Sequence, residues 1–221
     1  MKLYNDDCMN IFPLLKDNEV HLTLTDIPYE VVNRTSKGIR KFNKDKADIG
    51  TFILSDFIDE VVRITSGSIY IFCSTEQCSF IRERMIKHGL STRHCIWEKN
   101  NPSPVNGQYL WLSSIENCIF GKKRGAIFNE HCQSPVWRHP IERNINHPTP
   151  KPLKLMERLV MASSTEGDVV FDPCMGSGVV GVVSKQNNRD FVGIELDKKY
   201  FKYANKRINK VRTIYEFVES K

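Results

Sequence analysis

The hydrophobic positions along the chain switch between two rhythms. Residues 21–25 (HLTLT) alternate apolar and polar and are rich in β-formers, which predicts a strand. Residues 52–64 place Phe52, Ile53, Phe57, Val61 and Ile64 at helical spacing. Residues 67–72 (GSIYIF) return to a strand, and 75–88 predict a helix closed by Gly89. The alternation continues with a strand over 94–97 and a mixed run at 111–120 that ends at Gly121. A helix over 152–162 follows, entered through Pro152, with Leu153, Met156, Leu159 and Val160 on one face. Residues 169–171 are wholly apolar, as suits a strand buried on both faces; 179–186 predict a helix, 191–194 a further strand, and a basic helix begins near Asp197. The chain opens with a short strand, an Asp-rich turn and a short helix containing 9–15. Residues 31–50 and 122–150 are polar and aperiodic and read as loops. Alternating β and α predicts a mostly parallel sheet covered by helices on both faces. At 221 residues, the whole chain is expected to form a single domain.

Chemistry gathers at two predicted strand ends. After 169–171 come Asp172 and Pro173, then Gly176, Ser177 and Gly178, and the run 191–194 ends on Glu195. Strand, glycine turn, helix, strand and acid make a Rossmann-like nucleotide-binding half-fold, with the acid placed to bond ribose hydroxyls. Gly176, Gly178 and Gly181 also satisfy G-x-G-x-x-G, so an NAD-dependent oxidoreductase has to be weighed. Against it, a carboxylate at Asp172 would repel a pyrophosphate and suits a cationic ligand. Only 26 residues follow Glu195, so the other strands of the sheet are expected upstream. The second strand end carries Asp26, Ile27, Pro28 and Tyr29. An acid and an aromatic stand there where open α/β sheets place their ligands.

Charge adds a partner class. The formal net charge is +6, and it is concentrated. Arg40, Lys41, Lys44 and Lys46 face only Asp45, and 198–212 carry seven Lys or Arg and no acid. That favours a polyanion, although solvated helix faces share the pattern. The seven cysteines are scattered without a CxxC pair. His94–Cys95 and His131–Cys132 fit no usual zinc spacing, so no metal is expected. There is no signal peptide or membrane-length apolar run, and reduced thiols in a cytoplasmic protein are the default expectation.

Together the two strand ends resemble a family. Asp26–Tyr29 (DIPY) is similar to the D/N/S-P-P-Y/F/W catalytic motif of DNA amino-methyltransferases, and 171–178 (FDPCMGSG) to their FxGxG motif for S-adenosylmethionine. The catalytic motif comes first, with 147–155 (HPTPKPLKL) ahead of the glycines. That order resembles the permuted β class and explains why the remaining strands lie upstream. The segments 67–74 (GSIYIFCS), 96–104 (IWEKNNPSP) and 116–122 also match, so the resemblance covers nearly everything but the tail. The departure is Ile27, where the family has proline. The carbonyl there is retained, and Pro28 still biases it toward an extended conformation; stiffness at one φ angle is lost.

The resemblance implies methyl transfer to adenine N6 in double-stranded DNA by base flipping and in-line attack. Asp26 and the Ile27 carbonyl would hold the amine, and Tyr29 would stack on the flipped base beside Pro28. It assigns Glu195 to the ribose of the cofactor, with Leu196 next to it as a further cofactor-binding residue. Phe171, Asp172, Pro173, Cys174, Gly176, Ser177 and Gly178 fall to its methionyl part, Asp7 and Cys8 to its adenine, and His147, Thr149 and Lys151 to its amino-acid end. Blander roles compete: turn former for Asp26, Asp7 and His147, and solvated helix start for Lys151. For DNA, the resemblance points to a basic loop with Arg34, Lys37, Arg40 and Lys41. It also points to a target-recognition segment at 122–146 with Lys122, Lys123, Arg124, Trp137, Arg138 and Arg143. That segment is short, which predicts a short or relaxed recognition sequence, extended by pairing as a homodimer. Adenine is favoured because the motif starts with Asp; cytosine N4 is the nearest alternative. A non-enzymatic DNA-binding module would leave Asp26–Tyr29 unexplained.

Overall fold

A computed structural model describes residues 1–28, 52–105, 107–142 and 151–211. In chain order the elements are β1 (Lys2–Tyr4), α1 (Cys8–Ile11), β2 (Val20–Asp26), α2 (Leu54–Ile64), β3 (Thr65–Cys73), α3 (Cys78–Lys87), β4 (Ser91–Lys99) and β5 (Ile115–Lys122). They continue with β6 (Val136–His139), α4 (Leu153–Ser163), β7 (Val169–Asp172), α5 (Val179–Gln186), β8 (Asp190–Ile194) and α6 (Lys198–Asn209). The eight strands form one sheet in the order β1-β8-β7-β2-β3-β5-β4-β6. The β1–β8, β8–β7, β7–β2, β2–β3 and β4–β6 pairs are parallel, and β5 runs antiparallel to both its neighbours.

The period of two along the strands sorts side chains into two cores. On β3, Ile69, Ile71 and Cys73 join Phe57, Val61 and Ile81 of α2 and α3, while Tyr70 and Phe72 join the opposite cluster. That second cluster holds Leu155, Leu159 and Val160 of α4, Val179 and Val183 of α5, and Ala204 and Ile208 of α6. Helices therefore cover both faces, as the alternation predicts.

Two local readings change. Residues 111–114 are not strand; β5 begins at Ile115. Conversely, β6 lies inside 122–150, which reads as loop, because Trp137 is its one buried residue and a single apolar position shows no period. Among the described residues no helix is long and apolar enough to cross a membrane. All seven cysteines are free thiols.

Strand order reverses between β7 and β2. The chain leaves β7 through α5 to β8 on one side and leaves β2 through α2 to β3 on the other. The crevice at such a switch point is where open α/β sheets receive ligands, and Asp172 and Asp26 end the two strands that flank it.

Candidate active site

Asp26 closes β2 opposite Phe72 of β3. The backbone after it is held at two points: Ile27 N–H donates to Phe72 O at 3.2 Å, and Pro28 O accepts from Gln77 Nε2 at 3.3 Å. Gln77 is itself fixed, since its Oε1 accepts from Ser74 N–H at 3.0 Å. The Ile27 side chain is buried within the α2–α3 core. An apolar residue is thus used at this position, and hydrogen bonding replaces some of the stiffness a proline ring would give. Tyr29 lies outside the described residues.

The Asp26 carboxylate is about one-third exposed (35%) and its Oδ2 meets Lys151 Nζ at 2.6 Å. Lys151, buried at the entrance to α4, also reaches Glu116 Oε2 at 2.7 Å, and Glu116 Oε1 meets Lys99 Nζ at 2.9 Å. Carboxylate, ammonium, carboxylate and ammonium alternate from β2 to β4. Burial pushes Glu116 up, and the charges and hydrogen bonds of Lys151 and Lys99 reverse that, leaving its carboxyl below the ordinary value. Lys151 Nζ also stands 5.1 Å from the Phe72 ring centroid and 5.9 Å from that of Trp97. This arrangement keeps a partly exposed carboxylate charged and aimed without closing it off. Sequence reasoning placed Lys151 with the cofactor and assigned no role to Glu116 or Lys99; the structure brings all three to Asp26.

Across the crevice the second acid has no such cation among the described residues. Asp172 is buried (3% exposed), its Oδ1 accepting from Cys174 N–H at 3.1 Å. Burial, with the nearby charges of Asp26 and Glu195, pushes its carboxyl up to about 7. Glu195 is also buried and raised by desolvation; it binds Gly176 N–H through Oε2 and Asp197 N–H through Oε1, both at 2.8 Å. Those two bonds use one acceptor site on each oxygen and leave others for a pair of hydroxyls. Leu196 follows, exposed, its carbonyl accepting from Asn5 Nδ2 at 3.2 Å. A buried acid awaiting a cation and an acid suited to a diol fit a positively charged nucleoside.

The glycine turn contributes less open space than its sequence suggests. Gly178 has φ +71°, and a Cβ there would lie 2.8 Å from Ala204 Cβ; a Cβ at Gly181 would lie 2.5 Å from Ile208 Cδ1. These glycines admit α6 and are not exposed to a ligand on that side. Phe171 is likewise fully buried, edge-on to Phe12 at 6.1 Å between centroids. It supports the site from beneath, packed in the core with Phe57 and Ile58 of α2. Pro173 and Ser177 are buried in the turn and Cys174 is half-buried. Ser177 O accepts from Arg207 of α6 at 3.1 Å. Asp7 caps α1, accepting from Met9 N–H at 2.9 Å, with Cys8 buried behind it and close enough to Cys174 to raise its thiol. His147 and Thr149 lie outside the described residues.

For DNA the outcome is mixed. Arg34, Lys37, Arg40, Lys41 and Arg143 lie outside the described residues. Arg138 lies toward the Asp26 end of the sheet, exposed and paired with Glu98 at 3.0 Å. Lys122, Lys123 and Arg124 do not. Because β5 is antiparallel, Lys122 pairs with Ser68, beside Leu22 near the start of β2, whereas Phe72 pairs with Asp26. That puts it roughly 13 Å down the sheet from the reacting end, at 3.3 Å per residue. There Lys122 Nζ donates to Ala126 O and Lys123 Nζ to Asn18 Oδ1, both at 2.9 Å.

Comparison with known proteins places these features. The model of the DNA methylase family matches residues 20–206. The Type II methyltransferase M2.LlaDCHI of Lactococcus lactis subsp. cremoris is 28% identical over 242 aligned positions, covering 96% of this chain and 90% of its own. M2.DpnII of Streptococcus pneumoniae is 26% identical, with 94% and 89% covered. Among solved structures, the M1.HpyAVI–SAM complex superposes with a TM-score of 0.73 at 28% identity, covering 93% of this chain and 98% of that one. The PvuII cytosine-N4-specific methyltransferase shares the fold, with a TM-score of 0.72 at 13% identity.

Proposed function

The chain belongs to the DNA methylase family, an S-adenosylmethionine-dependent one, and from that we propose that it methylates the exocyclic N6 amine of adenine in DNA. The observation that carries the reading is Asp26, a carboxylate at the switch point kept charged and oriented by Lys151 at 2.6 Å.

An exocyclic amine is a poor nucleophile because its lone pair is delocalised into the ring. Asp26 accepts one N–H of the amine, and the Ile27 carbonyl, on a backbone pinned by Phe72 and Gln77, accepts the other. Two acceptors favour a pyramidal nitrogen with its lone pair free for in-line attack. Lys151 and Glu116 hold the carboxylate in place, so little reorganisation is needed when the base arrives. The methylated amine carries a positive charge until it sheds a proton, and Asp26 is the group placed to take it. S-adenosylmethionine supplies the methyl group on a sulfonium that leaves readily. Asp172 provides the negative charge facing the cofactor's cationic end, Glu195 the acceptors for its ribose, and Asp7 and Leu196 the flank of its adenine.

A role in restriction–modification and in the cytoplasm follows the Type II relatives. The test is methyl transfer from labelled S-adenosylmethionine to unmethylated DNA, wild type beside Asp26→Ala, with digestion to nucleosides. N6-methyladenine that disappears in the variant is expected. Label in N4-methylcytosine would keep the site and change the base. Transfer undiminished in Asp26→Ala would remove Asp26 from the mechanism.

A further inference from the structure

The connection between β4 and β5 shows the most exposed aromatic surface of the described residues. Trp111 is fully exposed (100%) and Tyr109 nearly so (83%), with Leu110 between them also exposed. The other two tryptophans, Trp97 and Trp137, are buried. A solvent-facing aromatic run of this kind marks a contact surface.

The tip is held out from a tied base. Asn101 Oδ1 accepts from Ile141 N–H at 2.6 Å, and Lys99 N–H donates to Ser114 O at 2.7 Å. Gly107 leaves the room that Leu112 fills, since a Cβ there would lie 2.8 Å from Leu112 Cδ2. The same base carries Lys99 and Glu116, whose ion pairs run through Lys151 to Asp26. The aromatic tip therefore rises from the reacting end of the sheet. With Lys122–Arg124 at the far end, it stands at the same end of the sheet as the reacting carboxylate, along with the turns that follow β3 and β7.

Two further properties select the occupant. Residues 100–114 contain no Asp, Glu, Lys or Arg, so nothing in the segment repels phosphates and its grip must come from stacking. A protein partner would have to cover the whole apolar run from Tyr109 to Trp111, with Val105 and Leu112 beside it. A base, by contrast, is matched by one or two rings. Methylating an amine inside a duplex also requires the target nucleotide to leave the stack, which opens a gap one base deep.

We propose that Trp111, with Tyr109 beside it, inserts into the DNA duplex and stacks on the bases exposed when the target is extruded. This rests on the base-methylation reading above. Trp111 is a positioning residue: it holds the extruded state open and does not touch the reacting amine.

Tryptophan emission reads the contact directly, because Trp111 is the exposed tryptophan. A duplex that the wild type methylates should quench it, and Trp111→Phe should lose that quench while keeping most activity. Trp111→Ala should methylate the matched duplex roughly tenfold more slowly, the scale of one lost base–aromatic stack. It should regain most of that rate when the target base lies opposite an abasic site, with S-adenosylmethionine affinity unchanged. Equal losses on both duplexes, or no quench by DNA, would overturn the proposal. So would burial of Trp111 on raising the protein concentration alone, with dimer in sedimentation, which would assign the patch to a second copy. Failure of the wild type to methylate any DNA would bring down both readings. Full wild-type methylation with an unaffected Trp111→Ala would bring down this one alone.

Discussion

The crevice has two carboxylates at the ends of adjacent strands, and their surroundings differ in nearly every respect. Asp26 is partly open to solvent and has Lys151 at 2.6 Å. Asp172 is buried, without an ammonium or guanidinium bonded to it among the described residues, and its carboxyl is raised to about 7. One acid carries its counter-charge within the protein; the other waits for its ligand to bring one. The first must already be charged when a neutral amine arrives, because it polarises without being neutralised. The second gains most from a cation if no resident cation competes. Similar side chains thus take opposite electrostatic preparations, set by which partner each will meet.

Removing the charge at the first acid is expected to have the largest effect. Asp26→Asn keeps the shape and loses the charge, so kcat should fall by roughly 10² to 10³-fold, the range for removing one preorganised partner of a reacting group. S-adenosylmethionine binding, followed by calorimetry, should persist. A variant with near wild-type kcat would show that the charge at this strand end is incidental.

Lys151→Met tests whether the prepared state matters. It leaves Asp26 and Glu116 facing each other without the ammonium between them. Loss of one partner from a buried ion pair costs about 3 to 5 kcal/mol of stability, read as a lowered midpoint in urea. The rate should fall too, by about 10²-fold, because Asp26 is then no longer held in place by the Lys151 ammonium. Adding Glu116→Gln should restore part of the stability and little of the rate. Restoration of both would mean that Lys151 serves only to neutralise Glu116.

The second acid makes a prediction in pH. Without ligand, Asp172 keeps its proton up to about pH 7, against 3.8 for an ordinary carboxyl. A cationic ligand requires the charged form, so binding below pH 7 must release that proton. S-adenosylmethionine affinity should therefore weaken by up to about tenfold per pH unit as pH falls below 7, and level off above it. Stability carries the matching sign. The unfolded chain gives up this proton first, so the ligand-free protein should lose stability as pH rises from about 4 to 7. Asp172→Asn should remove both slopes. A pH-independent affinity in the wild type would place the cofactor's charge elsewhere.

The difference between the acids also explains what the sequence discloses. Both strand ends, the glycine turn and most elements can be read from periodicity and motif spacing, because neighbours along the chain build them. Lys99 and Glu116 are invisible in that reading. They meet through the antiparallel β4–β5 register, where Trp97 faces Glu116, and strand direction leaves no trace in an alternation of apolar residues. Strand direction likewise sets Lys122–Arg124 at the end of the sheet away from Asp26, which position along the chain does not disclose. Asp172 looks like any acid before proline; only the packing of β7 between β8 and β2 shows its burial. Gly178 and Gly181 read as ligand glycines, and the space they leave is filled by Ala204 and Ile208 of a helix some 20 residues on.

The smallest expected effect comes from restoring the family's proline, and it asks what stiffens the Asp26 end. Ile27→Pro removes the N–H that donates to Phe72 O at 3.2 Å and replaces a side chain that is 2% exposed in the α2–α3 core. The lost hydrogen bond is worth roughly 1 kcal/mol, and the smaller apolar volume adds about as much again. Against this, the ring fixes φ and narrows the unfolded ensemble, a gain of about 0.4 to 1 kcal/mol where the native φ is compatible. The net expectation is a modest loss of stability, visible as a fall of a few degrees in Tm, with kcat changed by less than about threefold. The site keeps its aim because Lys151 positions the carboxylate and Gln77 holds the Pro28 carbonyl, and neither depends on residue 27. A tenfold rise in kcat on making this change would mean that ring stiffness, more than the ion chain, limits how well Asp26 is prepared. The contrast with Asp172 would then rest on backbone geometry as much as on charge.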